Sequence, residues 1–324
     1  MFVVSDTELR RLISMDDAID AVEEAFRAIV DGSGDQPPRV AFDDGSALAM
    51  MARRVESGSG EQGSAFKLVS LCPRNRERDL PTIHALVLWF DGETGRPSLL
   101  IEGSSVTSLR TGAASGLATR LLASPDATTL AMIGAGGQAA DQIRGVCAVR
   151  PIERIRVFSR RGASARALAD SLRPALPEVE IAAVESADDA VAGAEVVCCA
   201  TDSARPVVAA TSISGRVHVN AVGSYRPEMC ELPPELIERA ELVAVDQREA
   251  ALAEAGEIVR AVADGVLEPD DLAELGSLTF GPPPERRGVT IFKSVGVAMQ
   301  DWAVCRLVAS RVGAGAPTIE LWGS

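Results

Sequence analysis

A glycine-rich turn, Gly134-Ala135-Gly136-Gly137-Gln138-Ala139, constrains this chain more than any other feature because of what flanks it. Ahead of it runs Thr128-Thr129-Leu130-Ala131-Met132-Ile133, a short apolar segment suited to a strand. Behind it, Gln142, Ile143 and Val146 fall in a mixed polar and apolar stretch that reads as helix. Strand, tight turn and helix is the arrangement that receives a dinucleotide pyrophosphate. Gly134 makes the turn, Gly136 admits the phosphates to the backbone, and small Ala139 lets helix pack on strand. The helix N-terminus adds unpaired N–H groups and a partial positive charge. The next apolar run, Ile155-Arg156-Val157-Phe158, ends in Ser159-Arg160-Arg161, where an acidic residue would otherwise bind ribose hydroxyls. A hydroxyl and two guanidinium groups suit a 2′-phosphate instead, so NADP is the expected cofactor and NAD the alternative.

At 324 residues the chain is long enough for two domains, each with its own core. Its 47% hydrophobic and 24% charged residues are ordinary globular values. No apolar run reaches membrane-spanning length, and Met1-Phe2-Val3-Val4-Ser5-Asp6 lacks the basic start and apolar core of a signal peptide. Six scattered cysteines form neither a CxxC pair nor a disulfide framework, which points to reduced thiols and a cytoplasmic protein. A formal net charge of −14 argues against general nucleic-acid binding. His84 and His218 stand far apart in strand-like sequence and are read as core or structural residues, so no metal site is expected.

The organisation changes near residue 120. Met15 to Val30 spaces Ile19, Val22, Phe26 and Ile29 for one apolar helix face. From Pro38 to Leu100 the pattern becomes a meander of strands, including Ala65 to Val69 and Ile83 to Phe90, the latter ended by the turn Asp91-Gly92-Glu93-Thr94-Gly95. An Ala-rich connecting helix is expected from Thr107 to Ala123. Strands at 129–133, 155–158, 180–184, 195–200, 217–222 and 242–246 then alternate with helices, which predicts a doubly wound parallel sheet. Gly281-Pro282-Pro283-Pro284 reads as a loop, Val289 to Val295 as a last strand and Gly296 to Val312 as a closing helix.

Together these residues resemble the ornithine cyclodeaminase/mu-crystallin family. The matching stretches are Pro37-Pro38-Arg39, Phe66-Lys67-Leu68-Val69-Ser70, Ser108-Leu109-Arg110-Thr111-Gly112-Ala113-Ala114-Ser115, the glycine turn, Val219-Asn220-Ala221-Val222-Gly223 and Phe292-Lys293-Ser294-Val295-Gly296. The resemblance implies a smaller α/β substrate-binding and dimerisation domain over 1–118, rejoined by 297–324, and a Rossmann-type NAD(P) domain over 119–296. It also implies a homodimer, with the active site in the cleft between the domains. It assigns Arg39, Lys67 and Arg110 to the substrate carboxylate, with Lys67 and Arg110 as the catalytic pair. Arg226 and Val295 are implied at the substrate as well. Thr82, Arg110, Thr111, Ala200 and Thr201 are implied at the nucleotide, as are Val222, Gly223 and Ser224. Independently of any relative, an imino or amino acid carries a carboxylate that positioned cations must hold. Lys67 also stands inside an apolar run, where a charge needs a partner, and the polar Thr107-Ser108 and Thr111 suggest a helix end around Arg110.

One departure narrows the chemistry. Cyclodeaminases resembling this chain carry an aspartate two residues beyond the Val-Gly glycine, whereas this chain reads Val222-Gly223-Ser224-Tyr225-Arg226-Pro227-Glu228. A phenol with a pKa of about 10 does not replace a carboxylate base at neutral pH. Glu228, beyond a proline, is only a distant substitute. The expected activity is therefore NADPH-dependent reduction of a C=N bond beside a carboxylate, with cyclic ketimines as substrates. An alanine or opine-like dehydrogenase, an ornithine cyclodeaminase and a non-catalytic crystallin-like binder are the alternatives.

Overall fold

The computed structural model describes residues 1–55, 63–78, 80–282, 287–313 and 315–321. Pro283 and Pro284 of the expected loop lie outside them. The chain divides into two compact units, Met1–Arg110 with Val297–Ser324, and Thr111–Gly296. The division falls between Arg110 and Thr111, within a helix and upstream of the expected boundary at 118.

The first unit contains β1 (Phe2–Val4), α1 (Asp6–Leu12), α2 (Met15–Val30), β2 (Gly34–Asp35), β3 (Val40–Ala41), β4 (Ala47–Arg54), β5 (Ser64–Leu71), β6 (Ile83–Phe90) and β7 (Pro97–Glu102). Its sheet runs β1-β7-β6-β5-β4-β2 with β3 also on β4. Strands β4 to β7 form the expected antiparallel meander, and β1 adds in parallel to β7. Helix α2 keeps its sequence-derived bounds: Ser14 and Asp17 form a capping box, and Ile19, Val22 and Phe26 are buried.

Helix α3 (Gly103–Leu122) begins earlier than Thr107. The Glu102 carboxylate explains the difference, accepting hydrogen bonds from the Ser104 N–H at 2.9 Å and the Ser105 N–H at 2.7 Å and so capping a turn that small residues disguised. Arg110 therefore sits in the middle of a helix, not at a polar helix end.

The second unit continues from α3 through β8 (Thr129–Ile133), α4 (Ala139–Val149), β9 (Arg154–Phe158), α5 (Gly162–Leu172), β10 (Glu180–Ala183), α6 (Ala187–Val191), β11 (Val196–Cys199) and β12 (His218–Ala221). It ends with α7 (Pro234–Glu238), β13 (Leu242–Val245), α8 (Arg248–Glu254), α9 (Gly256–Ala263), β14 (Leu272–Glu274) and β15 (Thr290–Lys293). The order β10-β9-β8-β11-β12-β15-β13-β14 is parallel throughout. Strand order reverses between β8 and β11, the switch point at which open α/β sheets bind ligands. Leu130 and Met132 enter one buried apolar cluster and Ala131 and Ile133 the other, as expected of a strand covered on both faces.

The last helix, α10 (Ala298–Arg311), returns to the first unit and packs on α2 and the meander. Trp302 on it is fully buried and its indole N–H donates to the Gly63 carbonyl at 2.8 Å. Among the described residues no helix is long and apolar enough to cross a membrane.

Candidate active site

In the first unit, Lys67 lies in mid-β5, opposite Met50 on β4 and Val87 on β6. Only 3% of it is exposed. Its Nζ lies 2.9 Å from Asp301 Oδ1 and also donates to Thr107 Oγ1, whose own hydroxyl donates to the Gly103 carbonyl. Three residues along α3, on the same side as Thr107, Arg110 brings its Nη1 to 2.6 Å from Gln300 Oε1. Its Nε stands 3.3 Å from Asp301 Oδ1, close enough for an ion pair though not aligned as a hydrogen bond. Gln300 and Asp301 both come from the first turn of α10.

Two buried cations thus share one buried carboxylate. Burial opposes the Asp301 carboxylate, but the Lys67 ammonium and Arg110 guanidinium outweigh it and hold Asp301 below the ordinary carboxylate range. Burial pulls Lys67 below the ordinary lysine range, Asp301 draws it back up, and Arg110 pushes it down again. Asp301 Oδ2 and Gln300 Nε2 are buried without a hydrogen-bond partner. The surplus positive charge and the unpartnered Gln300 Nε2 donor form an environment that favours an anionic group, whereas Asp301 Oδ2, an acceptor, calls for a proton donor. Arg39, expected with this pair, is half-buried and directly precedes β3. Thr82, expected at the nucleotide, precedes β6, and its carbonyl accepts from the Cys72 N–H.

In the second unit, Gly134 has a φ of +104°, and a Cβ there would lie 2.5 Å from the Ala200 carbonyl oxygen. Its N–H donates to the Phe158 carbonyl at 2.8 Å, joining the ends of β8 and β9. A Cβ at Gly136 or Gly137 would meet nothing within 4 Å, so the turn is open on its outer side. Gln138 caps α4 without a side-chain hydrogen bond, and Ala139 is buried at its first position. An open glycine turn at a helix N-terminus that no side chain caps fits the pyrophosphate of a nicotinamide nucleotide.

Ser159, Arg160 and Arg161 follow β9, and both arginines are exposed. Arg160 Nη2 lies 3.6 Å from Asp202 Oδ1. Ala200 and Thr201 follow β11, while Val222, Gly223 and Ser224 follow β12. Val295, just past β15, is buried and fixed by Asp246, whose Oδ2 accepts from the Ser294 hydroxyl at 2.8 Å and the N–H groups of Val295 and Gly296 at 3.0 and 2.7 Å. Arg226 stacks 5.7 Å from the Tyr225 ring centroid. Glu228 is exposed.

No group of three or more His, Cys, Asp or Glu among the described residues could hold a metal ion. His218 is buried between Thr290 and Asn220, and burial drives its pKa down to about 3. His84, expected in a core or structural role, is exposed on β6. Sequence reasoning missed Asp301, Gln300, Asp246 and the buried acids Glu231 and Glu257. Lys293 carried a legible signal, a charge inside an apolar strand like Lys67, and it is fully buried.

A doubly wound parallel sheet with an open glycine turn, in one chain with a buried cluster of two cations and one carboxylate, is the framework of a dinucleotide-dependent oxidoreductase. The chain belongs to the ornithine cyclodeaminase/mu-crystallin family, whose model matches residues 1–316. A Delta(1)-pyrroline-2-carboxylate reductase of Bacillus cereus is 35% identical over 94% of this chain and 95% of its own length. The structure of Thermococcus litoralis Delta(1)-pyrroline-2-carboxylate reductase in complex with NADH and L-proline is similar at a TM-score of 0.88 and 33% identity, covering 96% of this chain and 97% of that one. An archaeal alanine dehydrogenase dimer with bound NAD is similar at a TM-score of 0.87 and 31% identity, covering 99% of both chains.

Proposed function

We propose that the chain is an NADPH-dependent reductase of cyclic ketimines, converting 1-pyrroline-2-carboxylate to proline or 1-piperideine-2-carboxylate to pipecolate. The buried surplus charge at Lys67, Arg110 and Asp301 carries this reading, because an α-imino acid supplies the one negative charge the cluster lacks. Arg110 grips the carboxylate with its planar fork, and Arg39 adds to the clamp. In such a substrate the imine nitrogen and the carboxylate are attached to the same carbon. The Lys67 ammonium can therefore hold a carboxylate oxygen and give its proton to the nitrogen. Its pKa, depressed by burial, makes that transfer easier than for an exposed lysine. A bound nicotinamide nucleotide supplies the hydride to the imine carbon. The glycine turn and the strand-end residues hold and orient it.

The names of the similar reductases support this substrate class. Tyr225 at the cyclodeaminase aspartate position argues against ring closure with ammonia loss: it packs against the apolar cluster, and Glu228 is exposed. Likeness to an alanine dehydrogenase keeps reductive amination of pyruvate as the second reading. A panel of cyclic imino acids, pyruvate with ammonia, and ornithine, assayed with each nicotinamide cofactor, separates the three. Faster turnover of pyruvate or ornithine than of every imine would overturn the assignment.

The six free cysteines suit a cytoplasmic enzyme. NADP preference rests on Ser159, Arg160 and Arg161. Replacing Arg160 by Asp and Arg161 by Ser is expected to weaken NADPH by about tenfold or more relative to NADH, since each charge-assisted contact is worth roughly 1.5–3 kcal/mol. Equal weakening of both nucleotides in a fluorescence titration would refute the assignment.

The meander sheet supports a homodimer. Its face away from α10 exposes Val40, Phe42, Leu68 and Leu86 along an apolar groove of about 770 Å³, and Leu68 and Leu86 are cross-strand partners. Such a face is covered by a second copy. Light scattering at micromolar concentration should give a dimer, and Leu68→Glu with Leu86→Glu should give a monomer. A wild-type monomer would contradict the proposal.

A further inference from the structure

We propose that Glu231 is a positioning residue of the nicotinamide-nucleotide site, whose single carboxylate ties the chain leaving β11 to the chain leaving β12. The inference rests on the reading that the chain binds such a nucleotide. Glu231 is fully buried. Its Oε1 accepts from the Thr201 N–H at 2.6 Å and the Thr201 hydroxyl at 2.9 Å, and its Oε2 accepts from the Gly223 N–H at 2.6 Å. Each carboxylate oxygen therefore serves a different strand exit. Strands β11 and β12 pair in register up to Cys199 and Ala221, so these exits are neighbours on the rim where a doubly wound sheet binds its ligand.

The effect of the clamp extends in both directions. Toward β8, Ala200, adjoining Thr201, presents its carbonyl to Gly134, where a Cβ would come within 2.5 Å. Moving Thr201 thus moves a wall of the phosphate turn. Toward β12, a Cβ on Gly223 would overlap the Thr201 backbone and Glu231 Oε1, so only glycine permits this approach. The next residue, Ser224, is fixed from the other side by fully buried Lys293, whose Nζ donates to its carbonyl at 2.6 Å and its hydroxyl at 2.5 Å. Burial raises the Glu231 pKa, and the Lys293 ammonium opposes the rise, favouring the acceptor form that the two N–H groups require. A neutral amide in this position would offer one acceptor oxygen where the carboxylate offers two.

Glu231→Gln keeps the side-chain shape and loses one acceptor. It is expected to raise the dissociation constants of NADH and NADPH together by about tenfold, the order of a lost buried hydrogen bond to a charged group. At saturating nucleotide, kcat and the KM for the imine should stay near wild type, a split that a general loss of stability would not produce. Glu231→Asp, which keeps the charge on a shorter arm, should fall between the two. Unchanged nucleotide affinity in folded Glu231→Gln would overturn the proposal. So would loss of the fold in both variants, because the carboxylate would then serve the sheet and not the nucleotide. A wild-type protein that binds neither nucleotide would refute the underlying reading instead, and the two failures are told apart by titrating wild type first.

Discussion

Lys67→Met is expected to lower kcat/KM for cyclic imino acids by about a thousandfold, roughly 4 kcal/mol of transition-state stabilisation, while nucleotide affinity stays within about twofold. The magnitude follows from Lys67 having two tasks at one buried position. In the proposed mechanism it balances the substrate carboxylate and donates the proton that makes the imine carbon electrophilic. Methionine fills a similar volume and performs neither. The fold should persist, because Asp301 keeps its ion pair with Arg110 and removing the ammonium also removes its burial cost. Arg110→Lys should be nearly as damaging. A point charge does not reproduce the fork that now spans Gln300 and Asp301. Steady-state kinetics alongside nucleotide titration and thermal melts test both variants. Lys67→Met that retained a third of wild-type activity would remove Lys67 from the chemistry.

What the sequence revealed and what it hid follow from the range of the signals involved. The strands of the second unit were legible because each is a short apolar run between turn residues, buried on both faces. Strands β1 and β14 passed unnoticed. Three residues show no periodicity, and both are held by a neighbour's ladder. The start of α3 was misplaced because its cap comes from Glu102, the last residue of a strand and not a usual capping type. Lys67 was conspicuous as a charge in an apolar strand, but its partner is 234 residues away on α10, and no local pattern connects them. Glu231 is hidden in the same way: it follows a proline-containing loop, and its role is visible only once β11 and β12 lie side by side. Short-range patterning thus singled out Lys67 and the glycine turn, the resemblance supplied Arg110, and the acids beside them emerged only from tertiary structure.

Asp301→Asn is the sharpest test of how the cation pair is maintained. The substitution preserves shape and removes the one negative charge between Lys67 and Arg110. Two buried cations without a counter-ion should cost about 3–5 kcal/mol of stability, the penalty of breaking a buried pair from one side. The pH dependence has a definite sign. Lys67 already titrates below an ordinary lysine because burial disfavours its charge, and Asp301 is what draws it back up. Without Asp301 its folded-state pKa falls further while its unfolded value is unchanged. Between those two values the unfolded chain binds more protons than the native one, so stability rises with pH across that window. The deficit of the variant is therefore full below the folded pKa of Lys67 and shrinks as pH climbs through it. Catalysis moves the other way. If Lys67 is the proton donor, as proposed, it is lost as pH rises through the same pKa, so the alkaline limb of the kcat profile should shift to lower pH in Asp301→Asn than in wild type. Melting curves and pH–rate profiles measured together check both halves. An alkaline limb that stayed in place while stability fell would mean that Asp301 supports the fold but does not govern the proton on Lys67, and the acid would then have to be sought among groups other than Lys67.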